Sequence, residues 1–411
     1  MALKILVNSL FGGGAEIQAA LLAKTMKPEA FLLLDGGCSP LPDLPPFSSL
    51  LHHGASLPGA IKTILSPLYA SRLAAKTCRG DTVLSLMERS NFVNILAARK
   101  SGHRAVICER THPSVDFSGI RGALMKPIIR KLYPAADLII SNSKGNARDL
   151  TENFGAPPEK IRVITNACDT EAINAASSEP LESRHEAVFT RPVIITSGRL
   201  RTQKGHWHLL RIFAGLKKTD PDAALVFLGK GELEEKLLGL CAAMGLNAYF
   251  PGRAAGPQAK DDVFFLGFQK NPYKFFSKAV LFAFPSLWEG FPNSVIEALA
   301  CGLPVISCDC RSGPREIMAP ETDFQTEAAA PEETAFGLLM PQFQVTAPDF
   351  TPVISGLERL WAKHISALLS DSARLEKYSA AARRRAEDFS LKIKIVEWQT
   401  ALGINSGSLG V

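Results

Sequence analysis

No stretch of this chain approaches the roughly 18 consecutive apolar residues that a bilayer-spanning helix needs, which argues against a helical membrane span. Paired cysteines are also missing. Cys38, Cys78, Cys108, Cys168, Cys241, Cys301, Cys308 and Cys310 are scattered, and the one close pair encloses a single residue rather than the two of a zinc or redox motif. Reduced thiols follow. His206 and His208 flank Trp207 with no third ligand nearby, so no structural metal is expected. There is no Gly-x-Gly-x-x-Gly with a downstream acidic residue and no Gly-Lys-Ser/Thr ending, which disfavours a dehydrogenase and a P-loop enzyme. The apolar start Leu3 to Val7 is short and has no small-residue cleavage pattern after it, so it reads as a first strand of a cytoplasmic protein rather than as a signal peptide.

What is present is an ordinary globular composition, 46% hydrophobic and 21% charged, over 411 residues. That length suits two domains. The net charge of +6 is unevenly placed: residues 1–172 hold 20 Lys and Arg against 14 Asp and Glu, and the remainder is balanced. The densest basic segment runs from Arg121 to Tyr133. It interleaves Arg121, Lys126, Arg130 and Lys131 with Leu124, Met125, Ile128, Ile129 and Leu132, a pattern that suits an anionic membrane surface and equally a core-facing helix with a solvated basic face. No nucleic acid partner is expected.

Short apolar strands alternate with helices from the start, which predicts an α/β fold with parallel sheets covered on both faces. Strand Lys4 to Asn8 leads through Phe11, Gly12, Gly13 and Gly14 into a helix from about Ala15 to Met26, a turn that lets the backbone approach an anion but is common to many α/β proteins. Ser39 to Pro58 reads as a long surface connection. Further strands are predicted at Phe31 to Leu34, Thr82 to Leu86, Arg104 to Cys108, Leu138 to Ile140 and Ile161 to Ile164. Polar clusters follow two of them, Glu109, Arg110 and His112 in one case and Asn166 to Asp169 in the other. Residues 1–172 thus form one Rossmann-like domain, and residues 173–191 a polar linker. A second such domain spans 192–385, with strands at Val193 to Thr196, Leu225 to Leu228, Val263 to Leu266, Val280 to Ala283 and Pro304 to Ser307. Asn247 to Asp262 reads as an inserted loop. The tail from about Thr351 to Ala401 reads as helical, its last part, residues 386–411, crossing back to the first domain. Ligands of such sheets bind beyond the carboxyl ends of the strands, so a cleft between the two domains is expected.

The stretch Leu287 to Pro304 places Glu289 and Glu297 eight residues apart, around a turn of Gly290, Phe291 and Pro292 and the start of a helix. Asn293 or Ser294 can cap that helix, and Gly302 ends it. Ser294 and Glu297 also have the spacing of a capping box, in which Glu297 serves only its own helix.

Taken together, SGRLRTQKG (197–205), FLGKGE (227–232), FLGF (265–268), SLWEGFPNSVIEALACGLPVIS (286–307) and the early GGGAE (12–16) resemble the retaining glycosyltransferases of the large family GT4, which have the GT-B fold. The likeness is dense over residues 193–318 and sparse but in order over 1–172. It implies transfer of a hexose or N-acetylhexosamine from a nucleotide diphosphate sugar, UDP by preference, to a lipid-linked or polysaccharide acceptor at the cytoplasmic membrane face, as in lipopolysaccharide or other envelope glycan assembly. Arg199 and Lys204 would hold the donor diphosphate, with Gly13 and Gly14 closing on the phosphates. Glu297 would bind the ribose hydroxyls, and Glu289 with the backbone of Gly290, Phe291, Pro292 and Asn293 the sugar. The same resemblance puts Gly198, Gly229, Gly267, Phe268 and Ser294 along the donor, and His112 near the transferred sugar. Arg110, Arg121, Lys126, Arg130 and Lys131 stand as candidate acceptor or membrane contacts. No cofactor and no metal are implied. A sugar-nucleotide 2-epimerase of the same fold and a non-catalytic nucleotide-sugar-binding protein are the alternatives.

Overall fold

A computed structural model of the chain describes residues 2–11, 13–36, 46–51, 59–117, 119–253, 256–258 and 260–404. It divides into two compact units, one of Met1–Ala167 with Leu391–Val411 and one of Cys168–Ser390.

In the first unit the elements run β1 (Leu3–Val7), α1 (Gly14–Met26), β2 (Ala30–Asp35), β3 (Phe47–Leu51), α2 (Gly59–Ile64), α3 (Ser66–Ala74), β4 (Thr82–Leu86), α4 (Glu88–Ser101), β5 (Arg104–Glu109), α5 (Pro113–Asp116), α6 (Gly119–Leu132), β6 (Leu138–Ser141), α7 (Lys144–Phe154) and β7 (Ile161–Val163). The seven strands form one parallel sheet in the order β3-β2-β1-β4-β5-β6-β7. Its central strands are apolar on both sides because helices cover both faces. Ile5 and Val7 pack with Ala19, Leu22 and Met26 of α1, while Leu6 between them packs with Tyr69 and Leu73 of α3.

The second unit runs α8 (Thr170–Ser177), α9 (Ser183–Glu186), β8 (Val193–Ser197), α10 (His206–Leu216), β9 (Ala224–Leu228), α11 (Glu234–Ala243), β10 (Ala248–Tyr249), β11 (Val263–Phe265), α12 (Tyr273–Phe276), β12 (Leu281–Phe284), α13 (Asn293–Ala300), β13 (Val305–Cys308), α14 (Pro314–Met318), β14 (Glu332–Thr334), β15 (Gly337–Met340), α15 (Gly356–Leu369) and α16 (Ser372–Glu387). Its eight-stranded sheet, in the order β10-β11-β9-β8-β12-β13-β15-β14, is parallel except for the β14–β15 pair. The strand order reverses between β8 and β12, so the carboxyl ends of these two strands flank the position where an open sheet of this kind holds its ligand.

Several sequence expectations need correction. The Pro-rich stretch contains β3, whose Leu50 is buried; residues 39–45 and 52–58 of that stretch lie outside the described residues. Residues 173–191 are no extended linker: Ile173, Leu181 and Val188 project into the core of the second unit, and that burial makes the segment helical. The expected loop 247–262 contributes the edge strand β10, and the β14–β15 hairpin was not foreseen, its strands being too short to show a period. The last helix, α17 (Leu391–Leu402), belongs to the first unit, where Trp398 and Leu402 join the core beside α1. No described helix is long and apolar enough to cross a membrane.

Candidate active site

The second unit gathers most of the nominated residues at the carboxyl ends of its strands. After β8, β9 and β11 come Gly198, Gly229 and Gly267, stacked by the hydrogen bonds Gly198 N to Leu228 O (2.9 Å) and Gly229 N to Gly267 O (2.8 Å). Gly229 is irreplaceable on steric grounds: at φ +141° a Cβ would lie 2.0 Å from the Gly198 carbonyl oxygen. Arg199 follows on the exposed side of this stack, and no described residue pairs with its guanidinium. Phe268 is also exposed, at 60%.

Lys204 lies in a short turn before α10. Gly205, with φ +61°, brings that turn so close to β12 that a Cβ would sit 2.3 Å from the Pro285 carbonyl oxygen. Leu287 N donates to Gln203 O (2.8 Å) and Gln203 Nε2 to Trp288 O (2.7 Å), which fixes the two strand ends together. The outcome is an ion pair of Lys204 Nζ with Glu289 Oε1 at 2.6 Å, both side chains nearly buried, with Lys204 5.1 Å from the centre of the Phe284 ring. Glu289 is held from its other side by backbone pairing with Arg311 and Ser312, at 2.7 and 3.0 Å.

Helix α13 begins two residues earlier than a Ser294 cap requires. Pro292 is at the N-cap and no side chain caps the helix. Ser294 is therefore the second helical residue and Glu297 the fifth, too far along to reach back to the cap, and the capping box does not form. No described residue hydrogen-bonds the Glu297 carboxylate. Loss of water around it pushes its pKa up to about 7, against the pull of the Lys204 charge. The charge of Glu297, followed by burial, in turn raises the Tyr273 hydroxyl, a neighbour that no local spacing nominates because it lies 24 residues away on α12. Phe291 turns inward against Phe389, with ring centres 5.5 Å apart, so around it only the backbone is presented.

In the first unit, Gly13 precedes α1 as its N-cap, where its N–H donates to Glu16 (2.8 Å), and Gly14 opens the helix; Gly12 lies outside the described residues. Arg110 and His112 follow β5. Arg110, a candidate acceptor or membrane contact, is 6% exposed and hydrogen-bonded to the side chain of Asn166, a burial that removes it from any membrane-facing surface. His112 Nδ1 lies 3.3 Å from Asp149, which also accepts from Ser114. Beneath them Glu109 is fully buried and saturated: it accepts from Tyr133 Oη (2.6 Å), Arg110 N (3.0 Å) and Thr111 Oγ1 (3.2 Å). Burial first, and the charge of Glu88 second, push its pKa up to about 7.

The basic helix α6 turns Met125, Ile129 and Leu132 into the core, leaving Leu124 exposed beside Lys131 and Arg130, whose Nε donates to Asn153 O (2.9 Å). Lys126 is half-buried, and the side chain of Arg121 lies outside the described atoms. His206 and His208 serve separate ends: His206 is buried against Phe227, its pKa pushed down to about 3 by burial and by Lys204, and His208 bonds Glu358 at 2.7 Å. The described cysteines are all free, and the described residues hold no cluster of metal-binding side chains.

Residues 178–335 match the family model described as glycosyl transferases group 1, and residues 13–172 the one described as glycosyltransferase family 4. An uncharacterised glycosyltransferase of Methanocaldococcus jannaschii is 33% identical, over 72% of this chain and 70% of its own. The N-acetylgalactosamine-N,N'-diacetylbacillosaminyl-diphospho-undecaprenol 4-alpha-N-acetylgalactosaminyltransferase of Campylobacter jejuni is 34% identical, over 78% of this chain and 76% of its own. Among solved structures, Anabaena HepE in complex with UDP and glucose covers 98% of this chain and 100% of its own with a TM-score of 0.73 at 17% identity. The sucrose-phosphate synthase of Thermosynechococcus elongatus has a TM-score of 0.72 at 16% identity, covering 98% and 99%.

Proposed function

This chain belongs to the glycosyltransferases of group 1 and family 4, with two Rossmann-like units of the GT-B type, and from that premise we propose its donor, acceptor and stereochemistry. The donor is a UDP-sugar carrying a hexose or N-acetylhexosamine, and the acceptor is lipid-linked or a polysaccharide at the cytoplasmic membrane face. The configuration at the anomeric carbon is retained, and no metal ion takes part. The observation that carries this reading is the Glu297 carboxylate, half-buried and without a protein hydrogen-bond partner in the field of Lys204. A partly desolvated carboxylate lacking donors is costly, and a ribose diol supplies two.

On this reading Arg199 and Lys204 take the diphosphate, Arg199 as a fork and Lys204 as a point charge oriented by Glu289. As the bond from the anomeric carbon to the phosphate oxygen breaks, its electrons pass to the leaving diphosphate, whose growing charge these two cations offset. The acceptor hydroxyl oxygen bonds the same face of the sugar and its proton passes to the leaving phosphate. That route needs no carboxylate on the opposite face, unlike the two-step hydrolases. The Campylobacter relative supports a lipid diphosphate acceptor and an α linkage through its own name, and the Anabaena structure supports UDP by what it binds.

The test is transfer from UDP-glucose, UDP-N-acetylglucosamine and UDP-N-acetylgalactosamine to a short polyprenyl-diphosphate-linked sugar, with and without EDTA, the product anomer being read by NMR. An α-linked product formed equally in EDTA is expected. A β-linked product contradicts retention, loss in EDTA contradicts metal independence, and transfer from a GDP-sugar alone contradicts the donor.

A further inference from the structure

The apolar face of α6 is occupied by the core, yet the first unit exposes another apolar stripe. Across α2 and α3, Ile61 is 44% exposed, Ile64 76% and Leu68 46%. These residues share one side of a nearly continuous helix, because Leu65 N donates to Ile61 O (3.0 Å) and Tyr69 N to Leu65 O (3.2 Å) across the join. The other side of α3 is already used: Tyr69, Ala70 and Leu73 are buried in the core. The exposed side continues as cation. Arg72 follows Leu68 by one turn, and Lys76 and Arg79 lie exposed just beyond α3. Lys100, at the end of α4, adds its charge by bonding Ser71 Oγ at 2.8 Å.

The sequence sets this face apart. Residues 44–80 contain no Asp or Glu, while Lys62, Arg72, Lys76 and Arg79 fall within them. Among the described residues no carboxylate pairs with Arg72, Lys76 or Arg79, whereas Lys62 is drawn inward to Asp35 at 3.1 Å. Arg72 Nη1 donates to Leu50 O (3.3 Å) and to no carboxylate; three large aliphatic side chains left in water beside cations without a carboxylate partner are unusual for a surface that touches nothing. An apolar end followed along the same face by Lys and Arg is the arrangement that puts aliphatic side chains below the headgroups of a bilayer and cations at anionic phosphates.

We propose that Ile61, Ile64 and Leu68, with Arg72, Lys76 and Arg79, form the surface by which this protein docks on an anionic lipid bilayer. The proposal rests on the reading of a lipid-linked acceptor, which such docking would keep within reach, and it moves the membrane contact from α6 to α2 and α3. An acidic protein or a second copy of this chain would need the apolar stripe covered as well, and both are separated by the test.

The full chain is floated with vesicles of phosphatidylcholine alone and with vesicles containing 30% phosphatidylglycerol, in the absence of donor and acceptor. Wild type is expected to float with the anionic vesicles, at least tenfold more than with the neutral ones, and to be released by 0.5 M salt. Ile64→Glu and the pair Arg72→Glu with Lys76→Glu each reduce flotation at least tenfold with unchanged melting. Leu124→Glu on α6 floats as wild type. Wild type that stays with the solvent, Ile64→Glu that floats normally, or loss confined to Leu124→Glu overturns the proposal. So does a concentration-dependent dimer that Ile64→Glu abolishes while vesicles bind nothing. Because flotation is read without transfer, a wrong donor or acceptor leaves it standing, and failed flotation with intact transfer removes this surface alone.

Discussion

Two glutamates, Glu109 fully buried in the first unit and Glu297 half-buried in the second, share a chemistry and differ in everything around it. Glu109 and Glu297 are both pushed up to about 7 by loss of water. Glu109 is enclosed by donors from Tyr133, Arg110 and Thr111, which were fixed by the fold before any ligand arrived. Glu297 has no donor from the described protein, and the charge that acts on it against desolvation is that of Lys204. Burial alone therefore does not mark a ligand carboxylate. What marks it is desolvation with its hydrogen-bonding capacity unspent.

The comparison breaks most visibly at the cation that serves only one of the two. Lys204→Ala leaves Glu289 buried beside an empty position and removes a charge from the diphosphate. The transfer rate is expected to fall about 100- to 1000-fold, the scale for losing one stabilising donor, in an assay with saturating UDP-sugar. A fall below threefold would remove Lys204 from the chemistry. Next comes Glu297→Gln, which preserves shape and removes charge. UDP affinity should drop about 10- to 100-fold, as for hydrogen bonds to a charged group, with the melting temperature unchanged or raised, because a neutral amide is less costly to bury. A lower melting temperature with unchanged affinity would make Glu297 a structural residue like its counterpart.

The pH dependence sharpens the comparison. Both carboxyls have folded values above the ordinary 4.5, so between about 4.5 and 7 the native state binds more protons than the unfolded state. Their contribution to stability is present at low pH and is lost as pH rises through that window. A ribose diol donates to the ionised form of Glu297, so UDP affinity moves the other way and should rise about tenfold from pH 6 to pH 8. Glu297→Gln should flatten that rise, measured by titration calorimetry at both pH values. The smallest effect on UDP belongs to Glu109→Gln. It turns an amide N–H toward donors that need an acceptor and should cost about 1 to 3 kcal/mol of stability, read from a denaturant midpoint, with UDP affinity within a factor of two of wild type.

The parts of this comparison were unequally legible in the sequence. The strand at 82–86 and α10 followed to the residue, and the strands expected at 104–108 and 193–196 each to within one, from apolar runs and glycine punctuation, since strands buried on both faces need nothing else to show them. The motifs put Arg199, Lys204, Glu289 and Glu297 in one unit, but the contact of Lys204 with Glu289 spans 85 residues and only the β8 to β12 adjacency creates it. Whether Glu297 capped its helix turned on a two-residue difference in where α13 starts, below what a capping pattern resolves. The saturation of Glu109 by Tyr133, 24 residues on, was invisible for the same reason as the Tyr273 neighbour of Glu297: side chains that meet across a sheet layer leave no spacing rule behind. The basic helix α6 reads from sequence as either membrane-facing or core-facing, and the α2–α3 stripe was not singled out at all. A pattern of alternating charge and aliphatic residues says that a helix is amphipathic, and only packing says which face is left over.

The most direct measurement is the number of protons exchanged when UDP binds, obtained at pH 6 from calorimetric enthalpies in two buffers of different ionisation enthalpy. If Glu297 is a ribose ligand that enters binding largely protonated, wild type should release close to one proton per UDP and Glu297→Gln none. Equal release in the two proteins, or none in wild type with UDP still bound, would contradict the assignment of the unpartnered carboxylate to the nucleotide.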